Sequence, residues 1–166
     1  MKTVYLSLGS NMGDRAEQIV RAIEALTAAG VRVVRRSSLY ATEPVEFEAQ
    51  SWFLNCVVEA ETSLLPRQLL GAVQRVERQV GRKKMVRLGP RSIDIDILLY
   101  GARTVRAAEF EIPHPRMAGR RFVLVPLAEL APALPHPRLG CTIAGLLAAT
   151  QDRSHVRKYG KNKNRN

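Results

Sequence analysis

With 166 residues the chain is long enough for one domain with a real core and too short for two full enzymatic domains. Its hydrophobic fraction of 46% and charged fraction of 25% are ordinary for a soluble globular protein, but its net charge of +11 is not. Two cysteines exclude a disulfide framework or a zinc set, and no run approaches the ~18 apolar residues of a membrane span.

The N-terminal apolar run is too short for a signal peptide, so a cytoplasmic protein is expected. Cys56 and Cys141 both read as small buried hydrophobes. From Gln151 onward the chain carries six Lys/Arg and one Asp, which leaves about +6 of the charge on residues 1–150. A basic body of that kind suits an anionic substrate. The reading is therefore one domain over residues 1–150 and a basic tail over 151–166, frayed from Arg153.

Val4, Leu6 and Leu8 alternate with polar positions and end at Gly9-Ser10-Asn11, which reads as a strand and a turn. Asp14 followed by Glu17 predicts a helix cap, Ile19, Val20, Ile23 and Leu26 a helical stripe, and Gly30 its stop. Val31 to Tyr40 reads as a β-branched strand, and Phe53 to Ala60 as a third. Pro66 fits the first turn of a second helix with its stripe at Leu69, Leu70, Val73, Val76 and Val80 and its end at Gly81. Glu111 to Met117 reads as a strand end entering a loop, Phe122 to Leu130 as a mixed segment broken at Pro126, and Ile143 to Ala148 as a short helix. The order β-α-β-β-α-β predicts an α+β fold with a ferredoxin-like, mostly antiparallel sheet and a C-terminal extension.

The chemistry concentrates in Ile93-Asp94-Ile95-Asp96-Ile97. In a strand, positions i and i+2 share a face about 6.6 Å apart, so both carboxylates point one way and the isoleucines the other. Like charges that close require a cation between them or a proton on one. A hard divalent metal with oxygen ligands fits, Mg²⁺ above all when phosphates complete its shell. Upstream, residues 82–91 hold five Lys/Arg and no acid, bracketed by Gly81, Gly89 and Pro90, as a lid over phosphates would be. Arg91 is the nearest candidate for a phosphate clamp. No Walker or protein-kinase signature occurs.

His136 and His155 read as solvent-exposed. His114, in Ile112-Pro113-His114-Pro115, reads as either a turn residue or a phosphate contact. Gln74 and Glu77 share a helix face. Asn55 with Phe53 on one strand face suggests a flat, polar-edged ligand. A ferredoxin-like sheet with this charge could also be an RNA-binding domain, but it lacks the aromatic run such domains use, and aromatics are only 5%.

These stretches resemble the 6-hydroxymethyl-7,8-dihydropterin pyrophosphokinase family. The resemblance is carried by Leu8-Gly9-Ser10-Asn11, by Ser38 to Pro44, by Phe53-Leu54-Asn55, by Gly89-Pro90-Arg91-Ser92-Ile93-Asp94-Ile95-Asp96-Ile97, and by Ile112-Pro113-His114 with Arg120-Arg121-Phe122, in family order. It implies transfer of pyrophosphate from ATP to the pterin's hydroxymethyl group in folate biosynthesis, with release of AMP, by a monomer that needs neither nucleic acid nor membrane.

It also implies that Asp94 and Asp96 hold two Mg²⁺ ions and that Arg82 and Arg91 serve catalysis. Leu70, Gln74, Glu77, Lys84, Arg91, Ile97, His114 and Arg120 would bind ATP. Thr42, Pro44, Val45, Phe53, Asn55 and Phe122 would bind the pterin, with the two phenylalanines sandwiching its ring. The chain departs from the family's best-known members at Leu88, where they carry tryptophan, in a basic loop one residue shorter, and at Pro115, where they carry an aromatic. The second loop-cation role falls to Lys83 or Lys84.

Overall fold

The computed structural model describes residues 1–43, 52–81 and 93–160. Strand β1 (Lys2–Ser10) runs through the middle of the sheet and is almost wholly buried beyond Thr3. Helix α1 (Arg15–Ala28) begins at Asp14, whose side chain accepts the Glu17 N–H at 3.1 Å, the expected cap. The expected second strand is two pieces, β2 (Val31–Arg36) and β3 (Tyr40–Thr42), separated where Ser37 exchanges hydrogen bonds with Val57 of the next strand, β4 (Phe53–Thr62). Helix α2 (Pro66–Gly81) buries Leu69, Val73, Val76 and Val80 of its predicted stripe, with Ala72 in addition, while Leu70 is only partly buried. Strand β5 (Asp94–Tyr100) follows.

β5 pairs β1, β1 pairs β4, and β4 pairs both β2 and β3, all antiparallel. With β2 and β3 taken as one broken strand, this is the ferredoxin-like order expected for split β-α-β units. A small hairpin, β6 (Val105–Arg106) and β7 (Glu111–Ile112), leads to a 3₁₀ turn at Met117–Gly119.

Alternation along the strands sorts side chains into two cores. Val4, Leu6, Leu8, Cys56, Val58, Ile93, Ile95 and Ile97 pack with α1 and α2. Tyr5, Val57 and Leu98 on the other face pack with Val123, Leu124 and Leu127 of α3 (Arg121–Leu130) and with Ile143 and Leu146 of α4 (Ile143–Ala149). Both faces of the sheet thus carry helices, unlike the open sheet on which an RNA-binding domain stacks bases.

Several expectations fail for physical reasons. α3 continues through Pro126, which supplies no N–H to the Phe122 carbonyl one turn earlier. Burial of Val123, Leu124 and Leu127, at about 1.5–3 kcal/mol each, outweighs the ~3 kcal/mol cost of the proline. The chain beyond Arg153 is not frayed through residue 160: β8 (Val156–Lys158) adds antiparallel to β3 at the sheet edge, satisfying backbone groups that composition does not reveal. Cys141 is exposed, while Cys56 is buried as expected.

His136 is buried rather than exposed, because its ring closes its own turn: Nδ1 accepts the N–H groups of Arg138 at 3.1 Å and Leu139 at 3.2 Å. Burial first, and the Arg138 charge second, hold the imidazole below its ordinary pKa. The ring is therefore neutral in the fold, whereas the unfolded chain takes up a proton below about pH 6.5. The contribution is whole above that pH and is lost as pH falls toward the lowered folded value. His136→Asn keeps an acceptor that does not titrate. It should flatten part of the fall in melting temperature between about pH 7 and 5, and thermal melts with an unchanged slope would contradict this assignment.

Candidate functional site

The site is built on the α3-facing side of the sheet, at the end where polar residues replace the core. Asp94 lies opposite Gly9 on β1, and Gly9 opposite Asn55 on β4; Asp96 lies opposite Ser7. Asp94 and Asp96 are half-buried, while Ile93, Ile95 and Ile97 are buried in the layer beneath. The expected division of the strand therefore holds. β5 is the outermost main strand, and its open edge is occupied. Glu77 Oε2 accepts the Ile95 N–H at 2.8 Å, between the two aspartates. The Leu98 carbonyl accepts the His114 N–H at 3.0 Å.

That second bond brings His114 beside Asp96. Burial lowers the His114 pKa; the Asp96 charge opposes this, and the Arg120 and Arg116 charges reinforce it. Arg120 is lowered too, by burial and then by Arg116, again against Asp96. The Nδ1 of His114 accepts the Arg116 N–H at 3.2 Å, so a neutral ring carries its proton on Nε2, free to donate to an anion. Arg120 is held over the Phe122 ring, 5.4 Å from its centroid. Asp96 thus faces a half-buried imidazole donor and a half-buried guanidinium.

On the other flank, Asn55 Nδ2 donates to Thr42 Oγ1 at 2.6 Å, and both residues are buried. Phe53, on the same face of β4, and Phe122, at the start of α3, are half-buried. Leu70, Gln74 and Glu77 lie on α2 and Ile97 in the core beneath it, so they stand on the opposite side of the sheet from the carboxylates. They meet the acidic face only around the β5 edge, where Glu77 reaches Ile95. Pro44, Val45, Arg82, Lys83, Lys84, Leu88 and Arg91 lie outside the described residues.

The donor set suits Mg²⁺: two carboxylates on one face supply hard oxygen ligands. Such a pair leaves most of an octahedral shell to water and phosphate oxygens, as that ion favours.

Gly9 has a role that its expected place in a turn did not suggest. It lies inside β1, and a Cβ there would stand 2.4 Å from Asn55 Oδ1. A glycine within an alternating strand is the signal that would have marked it. Gly9→Ala should cost about 1–3 kcal/mol by driving the Asn55 amide off Thr42. Adding Asn55→Ala should then return most of that loss, and strictly additive effects in urea unfolding would contradict the contact.

The family model described as 7,8-dihydro-6-hydroxymethylpterin-pyrophosphokinase matches residues 5–132. The chain is 46% identical over 137 residues to the 2-amino-4-hydroxy-6-hydroxymethyldihydropteridine pyrophosphokinase of Aquifex aeolicus, covering 82% of this chain and 85% of that one. It is 46% identical over 127 residues to the protein of the same name from Bacillus subtilis, covering 76% of each. Against the folic acid synthesis protein fol1 of Pneumocystis carinii it is 43% identical over 143 residues, 86% of this chain but only 19% of that longer protein. The Plasmodium falciparum HPPK-DHPS structure with pteroate shares the fold, with a TM-score of 0.71 at 16% identity, over 89% of this chain and 44% of that one.

Proposed function

The chain belongs to the 7,8-dihydro-6-hydroxymethylpterin-pyrophosphokinase family, and from that premise we propose that it transfers pyrophosphate from ATP to the hydroxymethyl group of 6-hydroxymethyl-7,8-dihydropterin, for folate synthesis. The observation that carries the proposal is the meeting of Asp94 and Asp96, on one sheet face, with a flank of His114 and Arg120 and a polar, aromatic flank. One flank suits a polyphosphate and the other a flat heterocycle.

In this reading Asp94 and Asp96 hold two Mg²⁺ ions. Bound there, Mg²⁺ supplies charge neutralisation for an in-line displacement at the β-phosphorus. His114 donates from Nε2 and Arg120 from its guanidinium to phosphate oxygens, and Arg82, Lys84 and Arg91 add charge from the basic segment. Leu70, Gln74, Glu77 and Ile97 shape the nucleoside side. Thr42, Pro44, Val45 and Asn55 hold the polar edge of the pterin, and Phe53 and Phe122 take its faces. The acceptor oxygen forms a bond to the β-phosphorus, the bond to the α-phosphate oxygen breaks, and AMP leaves. In this reading a single chain is the working unit. Among the described residues no helix is long and apolar enough to cross a membrane.

Incubation with ATP, Mg²⁺ and the pterin should yield AMP in step with pterin consumption, and ADP as the product would refute attack at the β-phosphorus. Asp94→Ala and Asp96→Ala should each lower kcat by roughly a thousand-fold or more while leaving the circular dichroism spectrum intact. Near-normal turnover in either would remove that residue from metal binding.

A further inference from the structure

α3 starts at Arg121 without help from its own cap residue, since Arg120 makes no side-chain capping bond. The Arg121 N–H is taken instead by a carboxylate far along the chain: Asp152 Oδ2 accepts it at 2.9 Å. The other oxygen, Oδ1, accepts the Ser154 N–H at 2.9 Å, so the carboxylate is held from both sides. Arg121 Nε returns a bond to the Ser154 carbonyl at 3.1 Å. An acid at a helix start satisfies an orphan donor and complements the helix dipole. Burial opposes ionisation of Asp152, yet the Arg121 and Ser154 N–H groups prevail and hold its pKa below the usual range.

The same segment then crosses to β3. His155 N–H donates to Glu43 Oε1 at 2.7 Å, and the Glu43 N–H donates to the His155 carbonyl at 3.4 Å. Val156, Arg157 and Lys158 pair with Thr42, Ala41 and Tyr40, and the Tyr159 N–H reaches the Leu39 carbonyl at 2.9 Å. Arg157 stacks on Trp52, 5.1 Å from the ring centroid, next to Phe53 in sequence.

We infer that residues 152–159 are a positioning strap for the pterin side of the site: anchored at Asp152, they tie the start of α3 to β3 and so set the gap between Phe122 and the Thr42–Asn55 pair. The inference rests on the reading of Phe122, Thr42 and Asn55 as pterin-binding residues. Asp152 itself acts through Arg121, the neighbour of Phe122, and through Ser154, and is a positioning residue.

The test is a split between two affinities in Asp152→Ala. The Kd for 6-hydroxymethyl-7,8-dihydropterin, at saturating Mg²⁺ and non-hydrolysable ATP analogue, should rise about five-fold, the loss expected on removing a helix cap. The Kd for the nucleotide analogue without pterin should rise clearly less, by about two-fold at most, because of the residues read as nucleotide-binding only Arg120 stands at the start of α3. An unchanged pterin Kd, or equal weakening for both ligands, overturns the strap. Should the alanine variant not fold, Asp152→Asn, whose single oxygen can keep only one of the two N–H bonds, carries the comparison with a smaller expected rise of about two- to three-fold in the pterin Kd alone. Phe122→Ala separates the premises: no effect on pterin affinity there defeats the underlying reading, whereas a loss there with none in Asp152→Ala defeats the strap alone.

Discussion

Asp94 and Asp96 can stand side by side because β5 keeps the extended pleat between three isoleucines that belong to the core beneath. At about 6.6 Å and an effective dielectric near 20, two such carboxylates repel by ~2.5 kcal/mol. A strand would relieve that by twisting away, were its other face not fixed by Ile93, Ile95 and Ile97 and its free edge not held by Glu77 and by the His114 segment. The acids are thus confined to one direction, and compensation comes from outside the strand. His114 and Arg120 approach Asp96 on one side, and the donor set invites a divalent cation for the rest.

The position of the site follows from how α3 covers this face. Its apolar residues close over Tyr5, Val57 and Leu98, toward one end of the strands. Farther along β1 and β4 the face carries Ser7, Gly9, Asn55 and Phe53, which no aliphatic stripe could cover. Glu129 of α3 pins the helix there by accepting from Tyr40 Oη at 2.6 Å and from the Ser38 N–H at 3.1 Å. Burial and the Glu129 carboxylate push the Tyr40 phenol pKa well up, which keeps it a donor. The start of α3, with Arg120 and Phe122, is left beside the acids and the Asn55–Thr42 pair.

Much of this was legible in the sequence where one local period sufficed. The Asp14 cap, the α2 stripe and the two-faced character of β5 follow from spacings of two, three and four residues, and the split β-α-β order gave the sheet. Interactions between distant positions were not legible. Nothing near Val156 announces a strand, because its partner groups belong to β3, and nothing near Arg121 announces that Asp152 caps it. Pro126 reads as a break until the apolar neighbours that override it are seen packed. Gly9 reads as a turn because the side chain that needs its missing Cβ arrives from β4. His136 is buried by a turn that its two flanking prolines only hinted at.

Calorimetric titration of the protein with a non-hydrolysable ATP analogue asks whether Asp94 and Asp96 bind nucleotide through a divalent cation. Binding should be saturable in Mg²⁺ and fall at least ten-fold in EDTA and equally in the Asp94→Asn, Asp96→Asn double variant, with the melting temperature of that variant maintained or raised by the relieved repulsion. Nucleotide binding of the same strength with and without Mg²⁺, or undiminished in the double variant, would contradict this role of the two aspartates.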